Sequence, residues 1–182
     1  INEMIRSNPY IHRNTLRHLE SLKEHKVNTK INTLVCNHNI SDITNIAKIL
    51  TRYDVSVWSL YEFWPIEGVA DINRKQFELS HDEYLNLVES VSPLSLYSDF
   101  EIEWGSVDER KNGYFFVTET GKVYTIHKSN RFQYQYVGNI SDDDILSSWN
   151  MLVDKPTAQK KRVQQRLNSI QNKHLHRKIN QN

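Results

Sequence analysis

The clearest pattern of hydrophobic and polar positions lies within residues 28–68. Ile31, Leu34 and Val35 supply the apolar positions of 28–36, and β-branched and aromatic residues fill 55–62. Between them, residues 42–53 repeat apolar side chains at helical spacing. A strand, an amphipathic helix and a second strand in this order predict a parallel βαβ unit. In parallel sheets of this kind, ligands bind beyond the carboxyl ends of the strands.

Polar residues collect at both predicted strand ends, at 36–39 and at 62–68. The first group, which contains an Asn-His-Asn run, suits hydrogen bonds to a sugar or a base, or simple turn formation. In the second group, Glu62 and Glu67 flank the strand end and are either general acid–base candidates or solvated loop charges. If the protein has a chemical site, we expect it at these two places.

The segments around this unit have their own signals. Apolar residues three apart predict a helix over 11–25, ahead of the first strand. Residues 65–79 form a long loop after the second strand, a length typical of lids and binding loops. Ser80 followed three residues later by Glu83 is a capping box that predicts a helix over 81–91.

A different pattern follows Pro93. Phe100, Ile102 and Trp104 alternate with acidic residues, which predicts a strand with one wet face. Two further apolar runs flank Glu119-Thr120-Gly121, a hairpin turn with glycine at a position of positive φ. A last strand near 134–137 and a short helix complete the predicted antiparallel β/α extension over 93–154.

Charge is distributed unevenly along the chain. Residues 155–182 contain eight Lys or Arg and no Asp or Glu, whereas residues 1–154 carry 15 basic against 22 acidic groups, a net charge of −7. Val163, Leu167 and Ile170 give the tail a thin apolar stripe, so we expect a basic helical or disordered tail. It could attract nucleic acid or an anionic membrane. Because it lacks aromatic residues for stacking on bases, docking on the acidic body is the favoured role.

Composition excludes several classes of protein. No apolar run reaches the ~18 residues that a membrane span needs, so no membrane partner is expected. Cys36, the only cysteine, cannot form an internal disulfide or hold a zinc or iron–sulfur site alone. A single cysteine and no visible leader peptide favour a reducing cytoplasm. The chain begins at Ile1, which suggests that a longer protein was processed or cut.

Common catalytic motifs are missing. The sequence contains no Gly-x-Gly-x-x-Gly, phosphate loop, His-Glu-x-x-His or Gly-x-Ser-x-Gly. Its eight histidines are scattered, and His174 and His176 would lie on different faces of a helix. No metal site is therefore predicted within this chain.

Several stretches together resemble the C-terminal half of radical S-adenosylmethionine (SAM) enzymes. They are Lys30-Ile-Asn-Thr-Leu-Val35, Asn39-Ile-Ser-Asp-Ile43, Val57-Trp-Ser-Leu-Tyr-Glu-Phe-Trp-Pro-Ile-Glu-Gly68, Gly113-Tyr-Phe-Phe-Val-Thr-Glu-Thr-Gly-Lys-Val-Tyr124, Val137-Gly-Asn-Ile140 and Leu146-Ser-Ser-Trp149. The first four are similar to the fifth strand, the following helix start, the sixth strand with its exit loop, and a downstream hairpin. The three-cysteine loop that holds the family's [4Fe–4S] cluster is absent, as are the first four strands.

The resemblance implies a fold, cofactors and site residues. The fold would be α/β, the C-terminal part of a partial (β/α)6 TIM-like barrel with an antiparallel extension. The whole protein would be an oxidoreductase that binds SAM and a [4Fe–4S] cluster and cleaves SAM reductively, with cluster ligands outside this chain. By position, Asn32 and Val35 match residues near the SAM ribose and methionine, and Phe63, Trp64 and Pro65 match the adenine contact.

The implied organisation has three parts: the last two βα units with a lid loop at 1–92, the extension at 93–154 and the tail at 155–182. The partner of the first part would be the N-terminal half of the same barrel. The substrate is open: Trp58 and Pro65-Ile-Glu-Gly68 are similar to the viperin branch, but Ser59 stands where that branch has a basic residue, so a peptide substrate is an alternative. A second hypothesis, from a different class, is a self-standing α/β module that binds nucleic acid or a protein through its tail.

Overall fold

The computed structural model describes residues 8–66, 68–94, 98–110 and 113–153, which form one parallel and one antiparallel sheet. The strands are β1 (Thr29–Val35), β2 (Val55–Glu62), β3 (Glu101–Gly105), β4 (Phe116–Val117), β5 (Lys122–Ile126) and β6 (Tyr134–Asn139). The α-helices are α1 (Ile11–Glu24), α2 (Ile43–Leu50), α3 (Val69–Ile72), α4 (Arg74–Phe77), α5 (His81–Val91), α6 (Val107–Arg110) and α7 (Ile145–Leu152). None of these helices has the length and apolar character needed to cross a membrane.

The parallel sheet has the strand order β1-β2-β3. The predicted βαβ unit is confirmed, since β1 and β2 pair in parallel over their whole lengths with α2 between them. β2 ends at Glu62, three residues before Pro65, because proline has no N–H to donate to a ladder. The carboxyl ends of all three strands therefore meet at one edge of the sheet.

One face of this sheet holds the main hydrophobic core. Helices α1, α2 and α5 pack against it because each presents an apolar stripe, and a single buried cluster joins all three to the strands. Its largest fully buried side chains include Trp58, Tyr84 and Phe100. The Trp58 ring meets Phe100 edge-on, at 6.0 Å between centroids, and its Nε1 donates to Thr33 Oγ1 at 2.9 Å.

The other face of the sheet carries several polar side chains, beside Leu34, Val57 and Tyr61, which lie on it by register. Lys30 Nζ lies 2.7 Å from Glu103 Oε2, and the buried Ser59 hydroxyl donates to the same carboxylate oxygen at 3.0 Å. These three residues come from β1, β2 and β3 and share one face by register. Parallel sheets are usually apolar on both faces, so a polar face is the unusual feature of this one. We call it the polar face.

β3 differs from its prediction. It is a strand with one wet side, as the alternation of apolar and acidic residues indicates, but it pairs in parallel with β2 instead of opening the antiparallel extension. The wet side is the polar face, where Glu103 meets Lys30. The antiparallel part begins later, at Phe116. The local pattern could not distinguish parallel from antiparallel pairing of β3, because in both cases the apolar residues lie on one face of the strand and the acidic residues on the other.

A further difference concerns the loop after β2. Residues 65–79, predicted as a loop, contain the one-turn helices α3 and α4. Within the described ranges the parallel strands form an open three-stranded sheet and not a closed barrel. The basic tail at 155–182 and Glu67 lie outside the described residues. The helix predicted for the tail and the role predicted for Glu67 therefore stay predictions.

The antiparallel sheet has the strand order β4-β5-β6. Gly121 closes the predicted β4–β5 hairpin with a φ of +78°, which a side chain would strain. Helix α7 covers one face of this sheet, where Val123 and Thr125 are fully buried. Trp149 of α7 fixes the packing, because its Nε1 donates to the Tyr114 carbonyl at 2.8 Å.

A buried tyrosine joins helix α5 to two strands. The Tyr84 hydroxyl donates to the Leu60 carbonyl of β2 at 2.9 Å and accepts from the Gly105 N–H of β3 at 3.1 Å. Burial raises the pKa of Tyr84, so this hydroxyl keeps its proton. The Tyr84 hydroxyl thus bridges a carbonyl of β2 and an N–H of β3 at the place where the two strands end.

Tyr84→Phe should lower the free energy of unfolding by about 1–3 kcal/mol, because it leaves a buried carbonyl and a buried N–H without their partner. The measurement is urea denaturation followed by circular dichroism. Tyr10→Phe is the matched control, since Tyr10 is exposed and the change should stay within about 0.5 kcal/mol. Equal stability of the two variants would show that water or a shifted backbone satisfies both groups.

Candidate functional site

A cavity of about 400 Å³ opens at the carboxyl end of the parallel sheet. Four segments build it: the end of β2, the chain from α4 into α5, the start of α6 and the loop before β6. The lining residues are Glu62, Phe63, Pro65, Lys75, Glu78, Leu79, Ser80, His81, Val107, Arg131 and Phe132. The cavity therefore occupies one of the two predicted places, the end of the second strand, and its volume suits a small molecule.

Glu62 is the most enclosed charged group of the cavity. Its side chain is 5% exposed, and one carboxylate oxygen accepts from the Val107 N–H at 2.6 Å. The other carboxylate oxygen lies 3.4 Å from His81 Nδ1. Arg110 Nη2 donates to the Glu62 carbonyl. A buried carboxylate needs such partners, and these hold its position while His81 connects it to the cavity.

His81 owes its position to the predicted capping box. Ser80 Oγ accepts from the Glu83 N–H, and the Glu83 carboxylate accepts from the Ser80 N–H at 2.7 Å, so both groups of the box are in place. His81 is thus the first residue of α5, with its ring half-buried between Glu62 and the cavity. Carboxylate and imidazole at this distance can pass a proton to or from a ligand.

The cavity lining is also aromatic and basic. Phe63 and Phe132 contribute rings, and the Arg74 guanidinium lies 3.7 Å from the Phe132 centroid. The Arg131 guanidinium lies 5.0 Å from the same ring and donates to Asp108 Oδ1 at 3.3 Å. A ligand here would meet both charge signs and two aromatic rings, of which Phe132 has one face covered by Arg74.

The five site residues that the resemblance implies do not lie together. Phe63 and Pro65 line the cavity, beside the candidate acid–base residue Glu62. Trp64 points the other way, into a second cluster with Val107 and Ile126, where its Nε1 donates to the Arg131 carbonyl. Trp64 therefore packs behind the residues that line the cavity and does not line it.

The two residues of β1 fall on opposite faces. Val35 is fully buried in the main core, whereas Asn32 is exposed on the polar face, aligned with Ser59. Side chains three apart on a strand must diverge in this way. Neither residue is among those lining the cavity, so β1 and β2 do not supply one common wall there.

The other predicted place, the Asn-His-Asn run after β1, forms a turn. Asn39 Oδ1 accepts from the Cys36 N–H at 2.9 Å, and its Nδ2 donates to the Leu34 carbonyl at 2.7 Å. Turn formation, one of the two alternatives from sequence, therefore accounts for Asn39. His38 packs edge-on against Phe77, at 5.1 Å between centroids.

The described residues hold no group of three or more His, Cys, Asp or Glu side chains able to bind a metal ion. Cys36 is 1% exposed, and burial raises the pKa of its thiol. A cluster ligand must be a thiolate that can reach the metal. Cys36 does not fit that role. His174 and His176 lie outside the described residues.

Comparison with models of known protein families and with curated proteins finds no match for this chain. Any function must therefore be argued from the site.

Sequence reasoning missed His81 and Arg131. His81 sits inside the Ser80–Glu83 motif, which was interpreted for its capping role alone. Arg131 lies in a loop with no periodic pattern, and it reaches the cavity only because the antiparallel sheet packs against the end of β2. The Ser106–Glu109 pair forms a second reciprocal cap, and its spacing in the sequence is a signal for the start of α6, one of the four segments that build the cavity.

The capping box makes the start of α5 sensitive to acid. Donation from the Ser80 N–H and hydroxyl lowers the pKa of Glu83 below its ordinary value of 4.5. The unfolded state therefore binds the proton first as pH falls, so this contribution to stability is present above pH 4.5 and lost on further acidification.

Glu83→Gln should remove that pH dependence, because glutamine caps without titrating. The measurement is the free energy of unfolding of both proteins between pH 3 and 6. Wild type minus variant should decrease as pH falls below about 4.5. Glu89→Gln, an exposed change on the same helix, is the control, and a flat difference for Glu83→Gln would contradict the role of the carboxylate.

Cys36 should not react with an aromatic disulfide reagent at pH 8 while the protein is folded, since its thiol is buried and its pKa raised. In denaturant one thiol per chain should react at the rate of a small-molecule thiol. Fast reaction of the native protein would show that the β1 end opens and that a thiolate is available there.

Proposed function

We propose that this chain is the C-terminal portion of a radical SAM enzyme and that its cavity forms part of the pocket for SAM and substrate. The observation that carries the proposal is the winding of the parallel sheet. Strand order β1-β2-β3 follows the sequence, and α1, α2 and α5 share one face.

Such a sheet has the winding that a barrel segment requires, which it shares with one half of a doubly wound sheet. Crossovers in parallel sheets are right-handed, so strands added in one direction place every helix on the same side. Only a complete doubly wound sheet reverses direction and has helices on both faces, so the character of the opposite face is what favours the barrel here. In a barrel the opposite face points inward, and the polar face, with Lys30, Ser59 and Glu103, suits a ligand-holding interior.

The cavity residues fit SAM in their chemistry. Phe63 and Pro65 offer apolar surface to an adenine ring, and Phe132 adds a further ring to the same cavity. Lys75 and Arg131 would attract the methionine carboxylate. Glu78 would attract the methionine ammonium or bond ribose hydroxyls. In this family, bound SAM supplies the 5′-deoxyadenosyl group for radical chemistry.

The iron–sulfur cluster does not fit this chain, because Cys36 is its only cysteine and is buried. Cluster ligands would have to come from the N-terminal half of the barrel. This chain's own contribution is binding and proton handling: Glu62 and His81 can hold or move one proton beside the ligand. Phe63 and Pro65 would exclude water from its apolar part.

Binding to the chain itself tests the cavity without the cluster. Titration calorimetry with S-adenosylhomocysteine should show one site, and Lys75→Gln should weaken binding by about fivefold, which corresponds to the loss of an exposed ion pair worth ~1 kcal/mol. The control is Lys48→Gln on α2, another exposed lysine away from the cavity. Phe63→Leu should weaken binding without changing the stoichiometry.

Absence of binding, or equal binding by the Lys75 and Lys48 variants, would contradict a SAM pocket at this cavity. The coding sequence upstream of Ile1 provides an independent check, since the proposal requires a three-cysteine loop there. The whole protein, reconstituted anaerobically with iron and sulfide and then reduced, should release 5′-deoxyadenosine from SAM. A native start codon directly before Ile1 would overturn the enzyme proposal.

A further inference from the structure

The contact between Glu62 and His81 gives the histidine ring a defined orientation. Glu62 Oε1 lies 3.4 Å from His81 Nδ1, while Glu62 Oε2 accepts from the Val107 N–H. A carboxylate accepts hydrogen bonds and does not donate them, so the Nδ1 that faces it carries the ring hydrogen. Glu62 therefore selects the tautomer of His81 in which Nε2 holds a lone pair.

The lone pair on His81 Nε2 is directed toward the cavity. The two nitrogens of an imidazole point away from each other, so a ring that turns Nδ1 to the buried Glu62 turns Nε2 outward. The His81 side chain is 34% exposed and lines the cavity, and none of the described residues hydrogen-bonds to Nε2. The Ser80–Glu83 cap holds His81 at the start of α5. A lone pair on a ring held in this way can take a proton from a ligand.

The charges around the cavity leave one cation for a ligand. Glu78 lies 3.5 Å from Arg74 Nε, and Arg131 donates to Asp108 at 3.3 Å. Lys75 lines the cavity, and no residue in the described ranges forms an ion pair with it. A negative charge that develops on a ligand oxygen here would be attracted by Lys75.

The apolar lining suits a planar ligand. The Phe63 ring lines the cavity and packs against Phe77, at 5.8 Å between centroids. Pro65 adds apolar surface, and Phe132 lines the same cavity with Arg74 on one of its faces. Side chains held by such packing bind a planar group at low entropic cost. The ligand that uses the rings, the base and the cation together is a planar molecule whose loss of a proton leaves a delocalised oxyanion.

We propose that His81 is the general base of this cavity, that Glu62 is its positioning residue, and that the substrate is a phenol or an enolisable ketone. The proton moves to Nε2 from the phenol O–H, or from the carbon beside the ketone carbonyl. The bonding electrons stay on the substrate, which becomes a phenolate or an enolate. The ring then carries a hydrogen on both nitrogens, and Glu62 stabilises its positive charge, while Lys75 stabilises the oxyanion. The step needs neither SAM nor the cluster, so this inference and the proposed function can fail separately.

4-Nitrophenol tests the inference, because its phenolate has a visible absorption band that the neutral phenol lacks. At about pH 6 the free probe is mainly neutral, and the probe bound to the full chain should show the phenolate band. His81→Gln should lose this band. His25→Gln, which changes an exposed histidine at the end of α1, should keep it. Three results would overturn the inference: no binding at millimolar probe, a bound probe that stays neutral, or an equal phenolate band for wild type and His81→Gln.

The tautomer of His81 tests the role of Glu62 by itself. Nitrogen-15 NMR of the wild type should show hydrogen on Nδ1 alone when His81 is neutral. Glu62→Gln should give a mixture of both tautomers and a weaker phenolate band, because a glutamine amide can accept or donate. A merely structural Glu62 would lower the free energy of unfolding on substitution and leave the tautomer unchanged. That result would overturn the positioning role.

Discussion

The hydrogen bond from the Val107 N–H to the Glu62 carboxylate is the contact on which the candidate site depends. It joins the end of β2 to the helix that follows β3, and its length is 2.6 Å. Glu62 is nearly buried, so loss of its partners would leave an unpaired charge in a poorly solvated place, which is costly. The Arg110 side chain on the Glu62 carbonyl strengthens the same junction. These contacts therefore hold the end of β2 and helix α6, which both line the cavity, together as one structural unit.

Trp64 joins the antiparallel sheet to this unit on the side away from the cavity. Trp64 follows β2 by two residues, fills a cluster with Val107 and Ile126, and donates to the Arg131 carbonyl at 2.6 Å. The same strand end thus sends Phe63 and Pro65 into the cavity and Trp64 into the interface between sheets. That division explains how a loop residue distant in sequence, Arg131, comes to line a cavity made by a parallel sheet.

The parts predictable from sequence were those set by local pattern. The β1–α2–β2 unit, the Ser80–Glu83 cap and the Gly121 turn all follow from residues close together in the chain, and each was confirmed. The pairing of β3 was not predictable, because Glu103 finds its partner Lys30 73 residues away. The site shows the same limit: Glu62 and Phe63 could be placed at a strand end, but the approach of His81 and Arg131 depends on tertiary packing.

The strand pattern and the resemblance disagree about the two residues of β1: the resemblance groups them, whereas the strand pattern puts them on opposite faces of the sheet. Val35 and Asn32 were grouped because both lie on β1, yet their spacing of three sends one into the core and the other to the polar face. Strand periodicity alone implied that separation. Asn32 therefore relates to Ser59 and Glu103, and not to the cavity residues.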